Sequence, residues 1–303
     1  MAFTATDVKN LREKTGCGMM DCKKALKETD GDMEKAVDYL RKKGLSTAAK
    51  KSSRVAAEGI AFAKTNEDSS IGAIVEVNSE TDFVAKNSDF LKFVENCANV
   101  VIKDNPRDLD ALADCSVDGR VSVSELLTEK IATIGENIKI RRFKRFTGFV
   151  VTYIHMGGRI AVMLNADIPD GFKKDDCVMG ALKDVCMQIA AVYPGYLNKE
   201  DVPAKVLEKE RNILKEQGVG KGKPEEIAEK IIAGKLNKFY KENCLLEQPF
   251  VKDSGISVGQ YLKDVGNKVG ANIKILDFVR YEKGEGIEKA KSDFASEVAS
   301  MIK

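Results

Sequence analysis

The chain has 303 residues, with 49 Lys and Arg against 47 Asp and Glu and a formal net charge of +2. That length predicts two or three domains with a sizeable core, and 43% hydrophobic with 32% charged residues excludes a disordered chain. The near balance of charge argues against a nucleic-acid footprint over the whole surface, and no apolar run reaches the roughly 18–20 residues that span a bilayer.

The first stretch predicts three short helices. Thr6 is positioned to cap a helix carrying Val8 and Leu11 that ends at Gly16. A second runs from Met19 to Glu28, and a third, starting near Asp32, carries Met33, Val37 and Leu40 and stops at Gly44. The basic run from Arg41 to Arg54 then reads as a solvated linker, with RNA contact as the alternative. The centre holds a loose duplication. EGIAFAKTNEDSSIGAIVEVNSETDF and TGFVVTYIHMGGRIAVMLNADIPDGF each read as a hairpin, with Gly72–Asn78 matching Gly158–Asn165. Helical segments Phe90–Ile102 and Val178–Val192 follow the two copies. Two such units side by side predict an α+β fold.

Between Pro203 and Asn243 the pattern becomes a helical hairpin, with each of Pro203 and Pro224 suited to a first helical position. Val206, Glu210, Ile213 and Gln217 trace one side of its first helix; Ile227, Ile231, Leu236 and Tyr240 trace the second. The narrow seam suits a projecting arm or coiled coil. Ile256–Leu262 then reads as a helix, Ala271–Tyr281 as a strand, and the tail as an amphipathic helix through Phe294, Val298 and Met301. The implied division is 1–44, a linker 45–56, a core of 57–140 with 141–201 and 244–282, an inserted arm 202–243, and a terminal module 283–303.

Signatures of catalysis are missing from the sequence. GVGKGKPEE lacks the Ser/Thr of a phosphate-binding loop and follows no strand, and GEGIEK is equally weak. Neither Gly-x-Ser-x-Gly nor His-Glu-x-x-His occurs. The seven Cys form no Cys-x-x-Cys pair, which predicts reduced thiols in a cytosolic setting, and a lone His disfavours most zinc sites. IKIRRFKRF (Ile138–Phe146) reads as a half-buried strand with one basic face. The start, MAFTATDVKNLREK, has no apolar signal core, so a cytoplasmic location is expected. The overall expectation is a binding protein without cofactor or metal.

Three segments carry a closer likeness: LREKTGCGMMDCKKAL (Leu11–Leu26), EVNSETDFVAKN (Glu76–Asn87) and GEGIEKAKSDFASEVASM (Gly284–Met301). With IGENIKIRR, YIHMGGRIAV, GKPEEIAEKIIAGKLNKF and EQPFV in the same order, the sequence resembles the translation elongation factor Ts family over nearly its whole length. The resemblance implies a three-helix module of the ubiquitin-associated type, a duplicated α+β core, an inserted helical hairpin and a C-terminal module. It implies a guanine nucleotide exchange factor whose partner is elongation factor Tu, with no catalytic residues, no membrane and no direct nucleic-acid partner. Thr81, Asp82, Phe83 and Val84 would carry the wedge that dislodges Mg²⁺, and Leu11, Met19 and Met20 would dock the first module. His155, Gly157, Gly158, Phe294 and Val298 are weaker carry-overs, and the arm is a candidate homodimer contact. From spacing alone, Phe83 would be ordinary core after a strand; the TDFVAKN context reverses that reading. The competing function is an RNA- or ribosome-associated protein using Arg41–Arg54 and Lys139–Arg145.

Overall fold

The computed structural model describes residues 3–217 and 224–288. The expected helix around Phe294 and Val298 lies outside these residues, as does the GVGKGK connection of the arm. The architecture is α+β, built on two compact units. The first comprises the chain up to Phe62, Ile74–Lys144 and the segment from Tyr281; the second comprises Ala63–Ala73 and Arg145–Arg280.

The first unit opens with α1 (Ala5–Thr15), α2 (Met19–Glu28) and α3 (Met33–Lys51). The cap of α1 is Thr4, not Thr6: Thr4 and Asp7 form a reciprocal capping box, which gives two orphan donors a partner. Val8, Leu11, Cys22, Ala25, Leu26, Ala36 and Leu40 form the small core of this module. The third helix does not stop at Gly44. It continues through most of the expected linker because Gly44 is packed: a Cβ built there would lie 3.5 Å from the Ala132 Cβ and 3.8 Å from Thr128 Cγ2. Tertiary contact here overrides the glycine's poor helix propensity.

Strands β1 (Glu58–Thr65) and β2 (Ile71–Ser79) follow, then α4 (Ser88–Asp104), α5 (Leu109–Asp114), α6 (Val123–Ile134) and β3 (Lys139–Thr147). The strands order β1-β2-β3. The apolar run of β2 is buried on both faces; α4, whose Phe90, Phe93, Val94 and Cys97 are buried, also packs on α5 and α6. Helix α6 also receives α3.

The second unit contains β4 (Phe149–His155) and β5 (Ile160–Asp167), antiparallel with Phe149 opposite Ala166 and His155 opposite Ile160. Next come α7 (Asp176–Val192), α8 (Ala204–Glu216), α9 (Glu225–Asn243), β6 (Pro249–Phe250), β7 (Asp253–Ser257), α10 (Val258–Val269) and β8 (Lys274–Glu282). Its sheet orders β4-β5-β8, and Val162, Leu164, Leu182, Val185, Ile189 and Leu262 lie in its core.

The duplication holds down to individual atoms. Asn78 Nδ2 donates to the Glu58 carbonyl at 3.0 Å, and Asn165 Nδ2 to the Thr147 carbonyl at 3.1 Å. The residue after each carbonyl is a glycine with positive φ, Gly59 at +108° and Gly148 at +130°. A Cβ would strike Val77 O at 2.2 Å in the first and Asn165 Oδ1 at 2.6 Å in the second, so both strand starts require glycine. Each β-hairpin then leads through a 3₁₀ turn (Val84–Lys86 or Asp170–Phe172) into a helix capped by Asn87 or Asp175.

In the arm, α8 and α9 pack against each other through Leu214, Ile232 and Leu236, with Tyr240 partly buried beside them. The seam is as narrow as expected but uses Leu214 and Ile232 in place of Ile213 and Ile231. Pro203 and Pro224 sit at the N-caps, one position before the first helical turn.

Candidate partner-binding site

The loop after β2 positions the residues of the TDFV segment. Phe83 is the N-cap of the 3₁₀ turn Val84–Lys86, with φ −63° and ψ −43°. At 3₁₀ spacing, successive side chains point about 120° apart. Val84 is buried, so its neighbour Phe83 is directed outward and is 79% exposed. Asp82 is exposed beside it and pairs with Lys86 at 3.3 Å. Thr81 is turned inward: its backbone N–H donates to Glu136 Oε2 at 2.9 Å and its hydroxyl to Glu136 Oε1 at 2.6 Å. Ser79 Oγ donates to the Thr81 carbonyl at 2.9 Å, and the Asn137 backbone N–H donates to Glu80 Oε1 at 2.6 Å. The loop is therefore tied at Ser79, Glu80 and Thr81, while Asp82 and Phe83 face solvent. The corresponding turn of the second unit is a control within the same chain, for there Phe172 packs against the core.

The first module presents an apolar edge at the start of α2. Met20 is 72% exposed and Met19 also lies at the surface, whereas Leu11 is fully buried in the module core. Leu11 is thus unavailable as a contact; its place at an i+3 position of the buried stripe explains this, and its role is to hold α1 under α2. The preceding Thr15–Gly18 loop is pinned by Thr15 Oγ1 donating to Leu11 O at 2.7 Å and by Cys22 Sγ donating to Cys17 O at 3.7 Å. Burial pushes the Cys17 thiol up, so it remains protonated and serves as packing.

In the second unit, His155 ends β4 with its Nδ1 3.0 Å from the Tyr153 hydroxyl. The turn that follows runs through three positive-φ residues, Met156, Gly157 and Gly158. Gly158 is buried, Gly157 opens to solvent, and Met156 is 65% exposed. Beside the expected His155 and glycines, the turn exposes Met156, a large apolar residue between a strand end and a Gly pair. Sequence reasoning does not reach Glu136, whose role appears only when the turn before β3 is seen beside the TDFV loop.

The basic segments carry internal partners. Arg41 pairs with Glu125, Lys43 with Asp21 and Arg54 with Glu80. Arg141 Nη1 and Arg142 Nε reach the fully buried Glu76 at 3.0 and 2.6 Å, and the Gly284 N–H and Asn78 Nδ2 complete its shell at 2.8 and 3.1 Å. The IKIRRF strand thus turns both arginines toward one buried carboxylate, and GEGIEK supplies a backbone donor to it. Among the described residues no His/Cys/Asp/Glu group is arranged to hold a metal ion, and no helix is long and apolar enough to cross a membrane.

Comparison with known proteins places these features in a family. The family model described as elongation factor TS matches residues 80–285, which includes the TDFV loop, Glu136 and the arm. The chain is 50% identical over 302 residues to elongation factor Ts of Clostridium perfringens, covering 99% of both chains. It is 48% identical over 305 residues to that of Clostridium kluyveri, again covering 99% of each, and 48% identical over 307 residues to that of Syntrophotalea carbinolica, covering all of both. A family match over more than half the chain, with such relatives along its full length, leaves one assignment: the chain belongs to the elongation factor Ts family of translation elongation factors.

Proposed function

We propose that the chain is a guanine nucleotide exchange factor that binds GDP-bound elongation factor Tu and promotes GDP release. The observation that carries this reading is Phe83, a large apolar side chain 79% exposed on a loop that is hydrogen-bonded on the side away from solvent. In this mechanism Phe83 enters between helices of the partner's G domain. The displacement disturbs the Mg²⁺- and phosphate-binding loop, and the metal and GDP leave. Asp82 acts beside Phe83 at the same site. Thr81 and Val84 position the pair, one by hydrogen bonds and the other by burial. Met19 and Met20 dock the helical module on the same domain, and the His155–Gly158 turn reaches the partner's other domains. In this reading the work of the chain is differential binding.

Magnitudes support a distributed interface. A thousandfold acceleration needs about 4 kcal/mol of differential stabilisation. One buried Phe contributes roughly 1.5–3 kcal/mol. Contacts beyond Phe83 must supply the remainder, and exposed methionines suit that task because their unbranched side chains adapt to a partner surface. Linkage makes the reading testable by binding alone: the factor by which the chain weakens GDP must equal the factor by which GDP weakens the chain. Titration of the chain into nucleotide-free and GDP-bound elongation factor Tu should give much tighter binding to the nucleotide-free form. Equal affinities would remove the differential binding on which this mechanism rests. A steep loss of binding with salt would instead favour a polyelectrolyte interaction.

A further inference from the structure

We infer that Glu136 is a positioning residue for exchange: it holds the Thr81–Phe83 loop in the geometry that presents Phe83, without touching the partner itself. The inference rests on the exchange-factor reading and adds a residue to it. Both carboxylate oxygens of Glu136 are used on one residue, Oε2 by the Thr81 N–H at 2.9 Å and Oε1 by the Thr81 hydroxyl at 2.6 Å. This two-point grip fixes the backbone at Thr81, two residues before Phe83. The turn that carries Glu136 is itself strapped down. Asn137 donates its backbone N–H to Glu80 Oε1 and its side-chain Nδ2 to the Arg54 carbonyl, both at 2.6 Å, and Lys51 donates to the Gly135 carbonyl. Asn137 is buried and Glu136 half-buried. The end of α3, the Gly135–Asn137 turn and the Glu80–Thr81 loop therefore form one hydrogen-bonded chain inside the first unit. Hydrogen bonds to a charged acceptor are about twice as strong as neutral ones, so a carboxylate at this point stiffens the loop. An exposed ring entering a partner's helices loses binding energy if its base is free to move, because ordering it then falls on the encounter.

The test uses the full-length protein and elongation factor Tu loaded with a fluorescent GDP analogue. Release is measured against concentration of wild type, Glu136→Ala and Glu136→Gln, with amide exchange at Thr81 and thermal melting in parallel. Glu136→Ala should lower the saturating rate about tenfold, less than the roughly hundredfold that a 1 Å misplacement can cost because the loop keeps its ties at Ser79 and Glu80, with the half-saturating concentration within about twofold of wild type. Its Thr81 amide should exchange faster. Glu136→Gln retains an oxygen for the Thr81 N–H and an amide that donates to the hydroxyl, so it should recover most of the rate. Thr81→Val, which removes only the hydroxyl bond, should lose less, and combining it with Glu136→Ala should add nothing; where Glu136→Ala does not fold, Thr81→Val alone carries the test, and a wild-type saturating rate in it would overturn the inference. Wild-type rates in Glu136→Ala would overturn the inference while leaving the exchange function intact. A rise confined to the half-saturating concentration would overturn it too, by making Glu136 a direct contact. Failure of wild type to accelerate release would remove the exchange reading and this inference with it.

Discussion

Phe83 and Phe90 belong to one short stretch of chain and have opposite fates. Phe90 is fully buried on α4, so Phe90→Ala should cost about 3–5 kcal/mol of stability, visible as a large fall in denaturation midpoint. Phe83→Ala removes a ring that already faces water and should change stability by less than about 0.5 kcal/mol. Spacing alone did not separate these two residues, because an apolar residue after a strand is core in most settings; the family context did, and the burial of Val84 gives the physical reason. Leu11 shows the reverse failure: likeness to a docking segment grouped it with Met19 and Met20, although its own helical periodicity had already put it inside. Cysteine chemistry separates by the same logic. Burial pushes the Cys97 and Cys186 thiols up to about 12, whereas Cys177 is exposed. The thiolate is the reactive form. Iodoacetamide at pH 8 should label Cys177 first and leave Cys97 and Cys186 unmodified until the protein is unfolded, as peptide mapping would show.

Among the elements, α3 runs on to Lys51, past the stop expected at Gly44. A glycine in a basic run looks like a stop, but α3 runs on past it because this stretch packs against α6. Since the nearest atoms leave ordinary contact distance for a Cβ, Gly44→Ala should be tolerated and should raise stability by about 0.5–1 kcal/mol through helix propensity, measured by chemical denaturation. A fall in stability would mean that the helices are closer than this packing allows. The arm was legible because prolines and a sparse apolar seam mark two helices that bury little; which of two adjacent isoleucines faced inward was not, since Ile231 and Ile232 both fit a seam within the tolerance of a 3.6-residue period. Its core consists of Leu214, Ile232 and Leu236, while the base is tied by the Asn243 carbonyl accepting from the Gly195 and Tyr196 N–H groups. Replacing residues 204–239 by a short Gly/Ser bridge should therefore leave the thermal transition of the rest in place. If the arm mediates a homodimer, light scattering on the same variant should show loss of the dimer.

At the scale of the whole molecule, the α+β class and the duplication were readable from alternation and repeated segments, and the atomic equivalence of Asn78 with Asn165 explains why the repeat survives in so loose a match. The buried charge centre was not readable, because nothing in IKIRRF or GEGIEK announces that two arginines and a backbone N–H converge on Glu76. Removing one member of such a group leaves uncompensated charge, so Glu76→Ala should cost about 3–5 kcal/mol, read from the denaturation midpoint. That fold exists, on this account, to present Phe83 to a GTPase with its base held still. The direct test is release of a fluorescent GDP analogue from elongation factor Tu at two salt concentrations, with wild-type protein and with Phe83→Ala of equal thermal stability. The account predicts strong, weakly salt-dependent acceleration by wild type and a loss of about tenfold or more in the variant, the factor expected if even 1.4 kcal/mol of the ring's burial is used in the transition state. Equal acceleration by the two proteins would contradict it.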